Sequence, residues 1–370
     1  MLTQRPTSAE ILRDLANTPT ASFHEEQIAR YIRQSLTEHE IPFTSDLYGN
    51  IVARYSVGKA AQSLALVAHM DHPAFEIVSA HGRECQAHLL GGVLPDYFGR
   101  PVQVRVFTKI GVVSGQISGG QWSPEERRMK LALTCDGVVA AGDWGVWEVT
   151  DFQADGDLFY LRAADDLAGC AVTLSTLLAL KQRAVVAADV YGVFTRGEEV
   201  GLLGSILVAQ QRLLPPQTLV VSVESSRTLP GAEIGKGPVI RVGDFRRTFN
   251  HEAESYLLAA WDALRNDDPQ TQVQRQLLSG GTCEATAFSL SGYRATGVAL
   301  PLGNYHNMAP NNILAPEFIH KDDLEGAVRL LTKAAEIAAQ PFSDPLLQRY
   351  GQVSPEHLAR LQESFNAWTP

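Results

Sequence analysis

Two adjacent carboxylates, Glu198 and Glu199, form the stretch of this sequence with the clearest potential for chemistry. They follow an apolar, β-rich run at 185–194 and precede Gly201 and a predicted helix at 203–213. Successive side chains at the end of a strand point in different directions. One carboxylate can therefore bind a metal ion while its neighbour stays free to accept a proton.

Further metal-competent side chains stand at equivalent places, after an apolar run or before a predicted helix. They are His69 and Asp71 after the run at 63–68, Glu224 after the run at 218–223, His306 after the run at 295–300, and Asp165 with Asp166 before a helix at 167–180. In open α/β sheets, functional groups gather beyond the carboxyl ends of the strands. We therefore expect these groups to converge on one site.

The chemistry of this set suits a pair of metal ions. Two imidazoles with three or more carboxylates favour zinc, and also accept cobalt or manganese. Two metals roughly 3.5 to 4 Å apart can bind a shared water and lower its pKa. One carboxylate must then stay unligated to take the proton of that water, and the Glu198–Glu199 pair answers this need. Asp71, two residues after His69, can hydrogen-bond the imidazole and fix its tautomer.

Each group taken alone has a structural interpretation. Asp165–Asp166 could cap a helix N-terminus, where carboxylates interact favourably with the helix dipole. Glu198–Glu199 could be a solvated turn, Glu224 a surface residue and His306 a polar loop residue. The combination favours the metal site, because all five groups stand at strand ends or helix starts.

The elements that must position these residues follow an α/β pattern interrupted by a β-rich segment. Apolar runs alternate with helical periods at 1–72 and again from 160 to 370, whereas 73–159 carries short β-like runs between glycine-rich turns. This predicts an α/β domain made of 1–72 and 160–370 with an inserted small β domain at 73–159. Ser22 and Glu25 match the spacing of a capping box at the start of a helix.

Composition excludes several classes of protein. The chain has 370 residues and a formal net charge of −10, which disfavours binding to nucleic acid or to an anionic membrane. The four cysteines form no C-x-x-C pair, so neither a zinc knuckle nor a disulfide framework is indicated. With no apolar signal core near the N-terminus and no run of about 18 apolar residues, we expect a cytoplasmic protein without a membrane span.

The same residues resemble the co-catalytic zinc exopeptidase clan, and within it the tetrahedral aminopeptidase family that includes glutamyl and deblocking aminopeptidases. The matching segments are AHMD at 68–71, ADDLAGC at 164–170, EEVGLLG at 198–204, GKGP at 235–238, GGT at 280–282 and YHN at 305–307, with AGD at 141–143 in the insert. They span most of the chain in the order of the family.

This resemblance implies a fold, a set of roles and an assembly. The fold is a mixed-sheet exopeptidase domain with helices on both faces and an inserted β domain. His69 and Glu224 bind one metal, Glu199 and His306 bind the other, and Asp165 bridges both. Glu198 is the general base and Asp71 orients His69. The peptide bond between Asp165 and Asp166 is expected to be cis, and the chain to form a homo-oligomer, as large as a dodecamer in relatives.

Several neighbours of the implied ligands depart from the family pattern. His72 stands where a glutamate is usual, Leu167 where an arginine is usual, Asn307 where a serine is usual, Glu224 where an aspartate is usual, and Cys283–Glu284 where an aspartate follows GGT. All presumed ligands keep metal-competent types. The preferred N-terminal residue, the native metal and the oligomer size stay open.

The sequence therefore predicts a metal-dependent aminopeptidase that hydrolyses N-terminal residues from peptides. Two alternatives stay open at this stage. One is a related amidohydrolase, such as an N-acyl amino acid deacylase or a carboxypeptidase. The other is a non-catalytic protein that keeps the fold.

Overall fold

The computed structural model describes residues 6–183, 185–344 and 350–368. The helices in these ranges are α1 (Ser8–Ala16), α2 (Glu26–Glu38), α3 (Ala164–Gln182), α4 (Leu203–Gln210), α5 (His251–Asp267), α6 (Glu284–Leu290), α7 (Lys321–Ile337) and α8 (Pro355–Asn366). None of these helices is both long and apolar enough to cross a membrane.

The strands fall into a main sheet, a barrel and two small sheets. In chain order they are β1 (Phe43–Ser45), β2 (Ile51–Val57), β3 (Leu64–His69), β4 (Ala74–His81), β5 (Glu84–Leu90), β6 (Val102–Thr108), β7 (Gly111–Ser123), β8 (Arg128–Cys135), β9 (Trp144–Trp147), β10 (Phe152–Asp155), β11 (Leu158–Leu161), β12 (Ala188–Thr195), β13 (Leu219–Arg227), β14 (Val239–Gly243), β15 (Gln274–Leu277), β16 (Arg294–Leu302), β17 (Met308–Ala309), β18 (Ile313–Leu314) and β19 (Glu317–His320).

The main sheet has the strand order β1-β2-β12-β3-β13-β16-β14-β15. Its centre is parallel, because β12, β3, β13 and β16 run in the same direction, while β2 and β14 join in antiparallel pairs. The carboxyl ends of the four parallel strands therefore meet at one edge. The mixed sheet confirms the predicted α/β class.

Helices cover both faces of this sheet, as predicted. On β3, Leu64 and Leu66 pack in a core with α1, α3, α5 and α7, whereas Ala65 and Val67 pack in a second core with α4 and α6. This alternation follows from the period of two along a strand. Burial on both faces explains why the sequence of β3 is a continuous apolar run.

Between β3 and β10 the chain forms a closed barrel in the order β4-β5-β8-β7-β6-β9. Its interior is filled by residues such as Phe75, Phe98 and Trp147, and β8 alternates exposed and buried residues along its length. After the barrel, β10 pairs with β11 and β11 pairs with β19, so these strands form a separate small sheet. The barrel agrees with the predicted β insert, and the domain limits at 73 and 159 stay a prediction.

Two local predictions were wrong. Ser22 and Glu25 form no capping box, because the Ser22 hydroxyl donates to Asp71 and the Glu25 carboxylate accepts from Gly197 and Arg196. Long-range contacts thus override the local capping pattern. Glu224 does not follow a strand that ends at 223, because β13 continues to Arg227 and places Glu224 within it.

Candidate metal centre

The centre of the candidate site is Asp165, whose carboxylate lies between two histidines. His69 Nε2 is 3.3 Å from Asp165 Oδ1, and His306 Nε2 is 3.7 Å from Asp165 Oδ2. His69 is the last residue of β3, Asp165 lies in the first turn of α3, and His306 lies in the loop after β16. The three segments meet at the carboxyl edge of the parallel strands, as the sequence predicts.

Two glutamates complete the surroundings of this carboxylate. Glu199 Oε1 is 3.2 Å from His306 Nε2, and Glu198 Oε2 is 3.9 Å from His69 Nε2. Potential ligand atoms form two sets of three, and within each set the atoms lie within 4.8 Å of one another. One set comes from His69, Asp165 and Glu199, and the other from His69, Glu198 and Glu224. The structure thus brings all the residues predicted as ligands, and the predicted base, into one cluster.

The donor atoms of this cluster fit a metal pair. His69 Nε2 and Asp165 Oδ1 are buried and make no hydrogen bond among the described residues. Unpaired buried polar atoms are costly unless a ligand satisfies them. His306 Nδ1 lies 2.6 Å from the carbonyl of Gly92, and His69 Nδ1 lies 3.1 Å from the carbonyl of Asp71. Each ring therefore donates through Nδ1 and leaves Nε2 as a free ligand atom.

Asp71 contacts both the first histidine and the glutamate pair. Its carboxylate accepts hydrogen bonds from the backbone N–H of Glu198 at 3.0 Å, from that of Glu199 at 3.1 Å and from the hydroxyl of Ser22 at 2.6 Å. Its Oδ1 is 3.5 Å from His69 Nδ1, farther than its own carbonyl oxygen. Asp71 therefore fixes the backbone of the glutamate pair, a contact that the sequence did not predict.

The ionisation of the two glutamates differs in a way that suits different roles. Burial raises the pKa of Glu198 well above its usual value, and the Glu199 carboxylate adds to this effect while His69 opposes it. Burial also raises the pKa of Glu199, but the adjacent His306 favours its charged form. The Glu198 carboxylate makes no hydrogen bond among the described residues, so it is available to accept a proton.

Sequence reasoning missed two buried glutamates that hold the backbone of the site. Glu317 accepts hydrogen bonds from the backbone N–H of Asp165 at 2.9 Å and from that of His306 at 2.7 Å. Glu25 accepts from the N–H of Gly197 at 3.0 Å and pairs with Arg196 at 2.8 Å. Both carboxylates bind backbone groups of distant segments, and no spacing in the sequence marks such contacts.

The residues that depart from the family pattern contact one another. His72 Nε2 lies 3.0 Å from Asn307 Oδ1, and His72 Nδ1 lies 2.5 Å from the carbonyl of Asp165. Asn307 also donates to the carbonyls of Arg162 and Ala315. His72 and Asn307 thus form one hydrogen-bonded unit behind the central carboxylate.

The other departures have separate surroundings. Leu167 packs in the main core. The carboxylate of Glu284 accepts a hydrogen bond from Thr195, and burial raises its pKa to about 7. Cys170 and Cys283 are free, buried thiols whose pKa is raised by burial. The predicted cis peptide bond between Asp165 and Asp166 is present.

Comparison with known proteins gives a family for the chain. Residues 135–330, slightly more than half of the chain, match the family described as M42 glutamyl aminopeptidase. A putative aminopeptidase of Acetivibrio thermocellus is 26% identical over 347 residues, which cover 88% of this chain and 97% of that relative.

Solved structures share the fold. The TET1 peptidase of Pyrococcus horikoshii matches with a TM-score of 0.72 and 22% identity, over 89% of this chain and 99% of its own. The aminopeptidase APDkam598 of Desulfurococcus kamchatkensis matches with a TM-score of 0.72 and 20% identity, over 94% and 98%. The likeness covers both the main sheet and the barrel insert. Together with the family match, it identifies the chain as a member of the M42 glutamyl aminopeptidase family and a metal-dependent aminopeptidase.

Proposed function

We propose that this aminopeptidase acts through two divalent metal ions bridged by Asp165. His69 and Glu224 would hold one metal, His306 and Glu199 would hold the other, and zinc, cobalt or manganese suits these donors. The observation that carries the proposal is the position of the Asp165 carboxylate, with one oxygen facing each histidine. A pair of metals would supply Lewis-acid polarisation of the scissile carbonyl and a nucleophilic water of lowered pKa.

The residues of the chain perform the proton transfers. Glu198 accepts the proton of the attacking water, and its raised pKa makes the carboxylate a stronger base than an exposed glutamate. The same group then delivers the proton to the amine that leaves. Asp71 keeps Glu198 and Glu199 in place through their backbone N–H groups.

The substrate is a peptide with a free N-terminus. The buried carboxylates of Glu198 and Glu199 favour a positively charged amine beside the site. A small cleft lined by Ser226, Thr282 and Tyr305 adjoins Glu224.

The experiment that tests this function compares Glu198→Gln with the wild type. We expect the variant to keep its metal, measured by elemental analysis, and to lose about 10²- to 10⁴-fold in peptide hydrolysis, the usual contribution of a general base. Unchanged hydrolysis would show that Glu198 is not the base. A panel of aminoacyl and N-acyl substrates should give cleavage of the aminoacyl set alone.

We further propose a cytoplasmic homo-oligomer. The Pyrococcus horikoshii TET1 peptidase is described as assembling into a tetrahedron or a large octahedral shell, and a dodecamer is described for the related PhTET1-12s structure. The barrel exposes large apolar side chains, including Ile110, Val112 and Val138. Sedimentation velocity should give a mass several times that of one chain, and a monomer would contradict this part of the proposal.

A further inference from the structure

A buried arginine, Arg241, touches one half of the candidate metal centre. Arg241 lies on β14, and its Nη1 donates to Glu224 Oε2 at 2.9 Å and to the hydroxyl of Ser226 at 3.1 Å. Its Nη2 lies 3.4 Å from the carbonyl of Leu278. Arg241 is 2% exposed, so its charge is little screened by water.

The main sheet is built to let this side chain reach Glu224. Strand β16 lies between β14 and β13, and Arg241 and Ser222 both pair with Gly297 of that strand. A Cβ atom on Gly297 would lie 3.0 Å from Cδ of Arg241. The glycine therefore leaves the space through which the arginine crosses the middle strand.

The other half of the centre has no ion pair with an arginine or lysine among the described residues. The Glu199 carboxylate instead pairs with the His306 imidazole, at 3.2 Å. Both histidines donate through Nδ1 to a backbone carbonyl, so this contact does not distinguish the two imidazoles. Glu224 differs from Glu199, because Arg241 donates to one of its carboxylate oxygens and places a buried positive charge beside it.

We infer that Arg241 makes the two metal positions unequal, so that the metal held by His69 and Glu224 binds more weakly and exchanges more readily than the metal held by His306 and Glu199. This inference rests on the proposed binuclear function. The difference in affinity holds across the pH range in which the protein is folded, because a guanidinium does not lose its proton there.

The test is a zinc titration of the metal-free protein against a chromophoric chelator. In the wild type we expect two classes of site whose affinities differ about tenfold or more, because a buried positive charge repels a bound cation. His306→Ala should leave the weak class and His69→Ala the tight one. Two equal classes in the wild type would overturn the inference, and binding of no zinc would instead contradict the proposed function.

Variants at Arg241 separate its charge from its packing. Arg241→Met removes the charge at similar volume and should strengthen the weak class about tenfold, because the repulsion of the cation is lost, with the tight class unchanged. Arg241→Lys keeps the charge and should keep the gap. If both variants weaken binding at the site of His69 and Glu224, Arg241 supports Glu224 as a positioning residue and the inference is wrong. Arg105→Met, which removes a half-buried arginine paired with Asp151 on the barrel side, is the matched control and should leave both classes unchanged.

Discussion

The two halves of the candidate metal centre present similar ligands but are supported in different ways. His69 and Glu224 stand on the central strands β3 and β13, where the sheet itself fixes the backbone. His306 stands in a loop in which it and its neighbours Asn304 and Asn307 have positive φ angles of 55°, 55° and 63°. That loop is held by Glu317 and by a carbonyl of the barrel segment at Gly92.

One half of the site is therefore placed by regular structure and the other by individual hydrogen bonds. Removal of a single hydrogen-bond acceptor should therefore disturb the position of the His306 ligands more than that of the His69 ligands. The barrel also takes part in the site, because its carbonyl at Gly92 sets the tautomer of His306. The insert is thus more than an addition to the surface of the enzyme.

The largest effect is expected from the residue that the two halves share. Asp165→Ala should lose most of both metals and all detectable peptide hydrolysis. Each metal loses a ligand, and the two cations repel each other more strongly without the negative carboxylate between them. His69→Ala and His306→Ala should each lose one metal. Elemental analysis after dialysis measures this, and retention of two metals in Asp165→Ala would remove the bridging role.

A loss of about 3 kcal/mol in the free energy of unfolding is expected for Glu317→Ala. The change leaves the buried N–H groups of Asp165 and His306 without an acceptor, at about 1–3 kcal/mol for each group. Urea denaturation of the metal-free proteins measures it, with Glu233→Ala on the surface as the control. A difference within about 0.5 kcal/mol of that control, the usual range of surface substitutions, would show that Glu317 does not hold the loop.

Metal affinity should fall by about tenfold for each pH unit below about 9, because metal binding displaces one proton from His306. Burial opposes the charged imidazole, but the Glu199 carboxylate overcomes this and raises the pKa of His306 to about 9. The metal-free ring therefore carries a proton at pH 7, and that proton must leave when metal binds.

Calorimetry in buffers of different ionisation enthalpy counts the released protons. At pH 7 the wild type should release about one more proton than His306→Gln, because the amide has none to lose. Equal release from the two proteins would mean that the ring is already neutral before metal binds.

A smaller effect, about 1 kcal/mol, is expected for the coupling between His72 and Asn307. The singles His72→Gln and Asn307→Ser each break their shared hydrogen bond, so the double variant should cost less than their sum. Unfolding free energies of the four proteins give the coupling. Additive costs would show that the two residues act independently.

The sequence predicted that the candidate ligands lie together, because most of them follow strands whose apolar patterns are strong. His69 ends β3 and the Glu198–Glu199 pair follows β12, so both could be assigned from the carboxyl-end rule. Glu224 was predicted to follow its strand, but the strand continues to Arg227. The error arose because Glu224 to Arg227 are polar residues within a strand, which periodicity does not distinguish from a loop.

The supporting residues could not be predicted, because they act across long sequence separations. Glu317 binds the backbone of Asp165, and Arg241 reaches Glu224 only because Gly297 leaves space between them. Glu25 had a local pattern, the capping box, but its carboxylate binds Arg196 instead. Local patterns report local energies, and these contacts depend on which strands become neighbours.

The most direct test of the bridged centre is a crystal structure of the zinc-loaded enzyme with an anomalous difference map at the zinc edge. We expect two peaks, one between His69 and Glu224 and one between His306 and Glu199, with the Asp165 carboxylate between them. A single peak, or two peaks without Asp165 between them, would contradict the bridged centre.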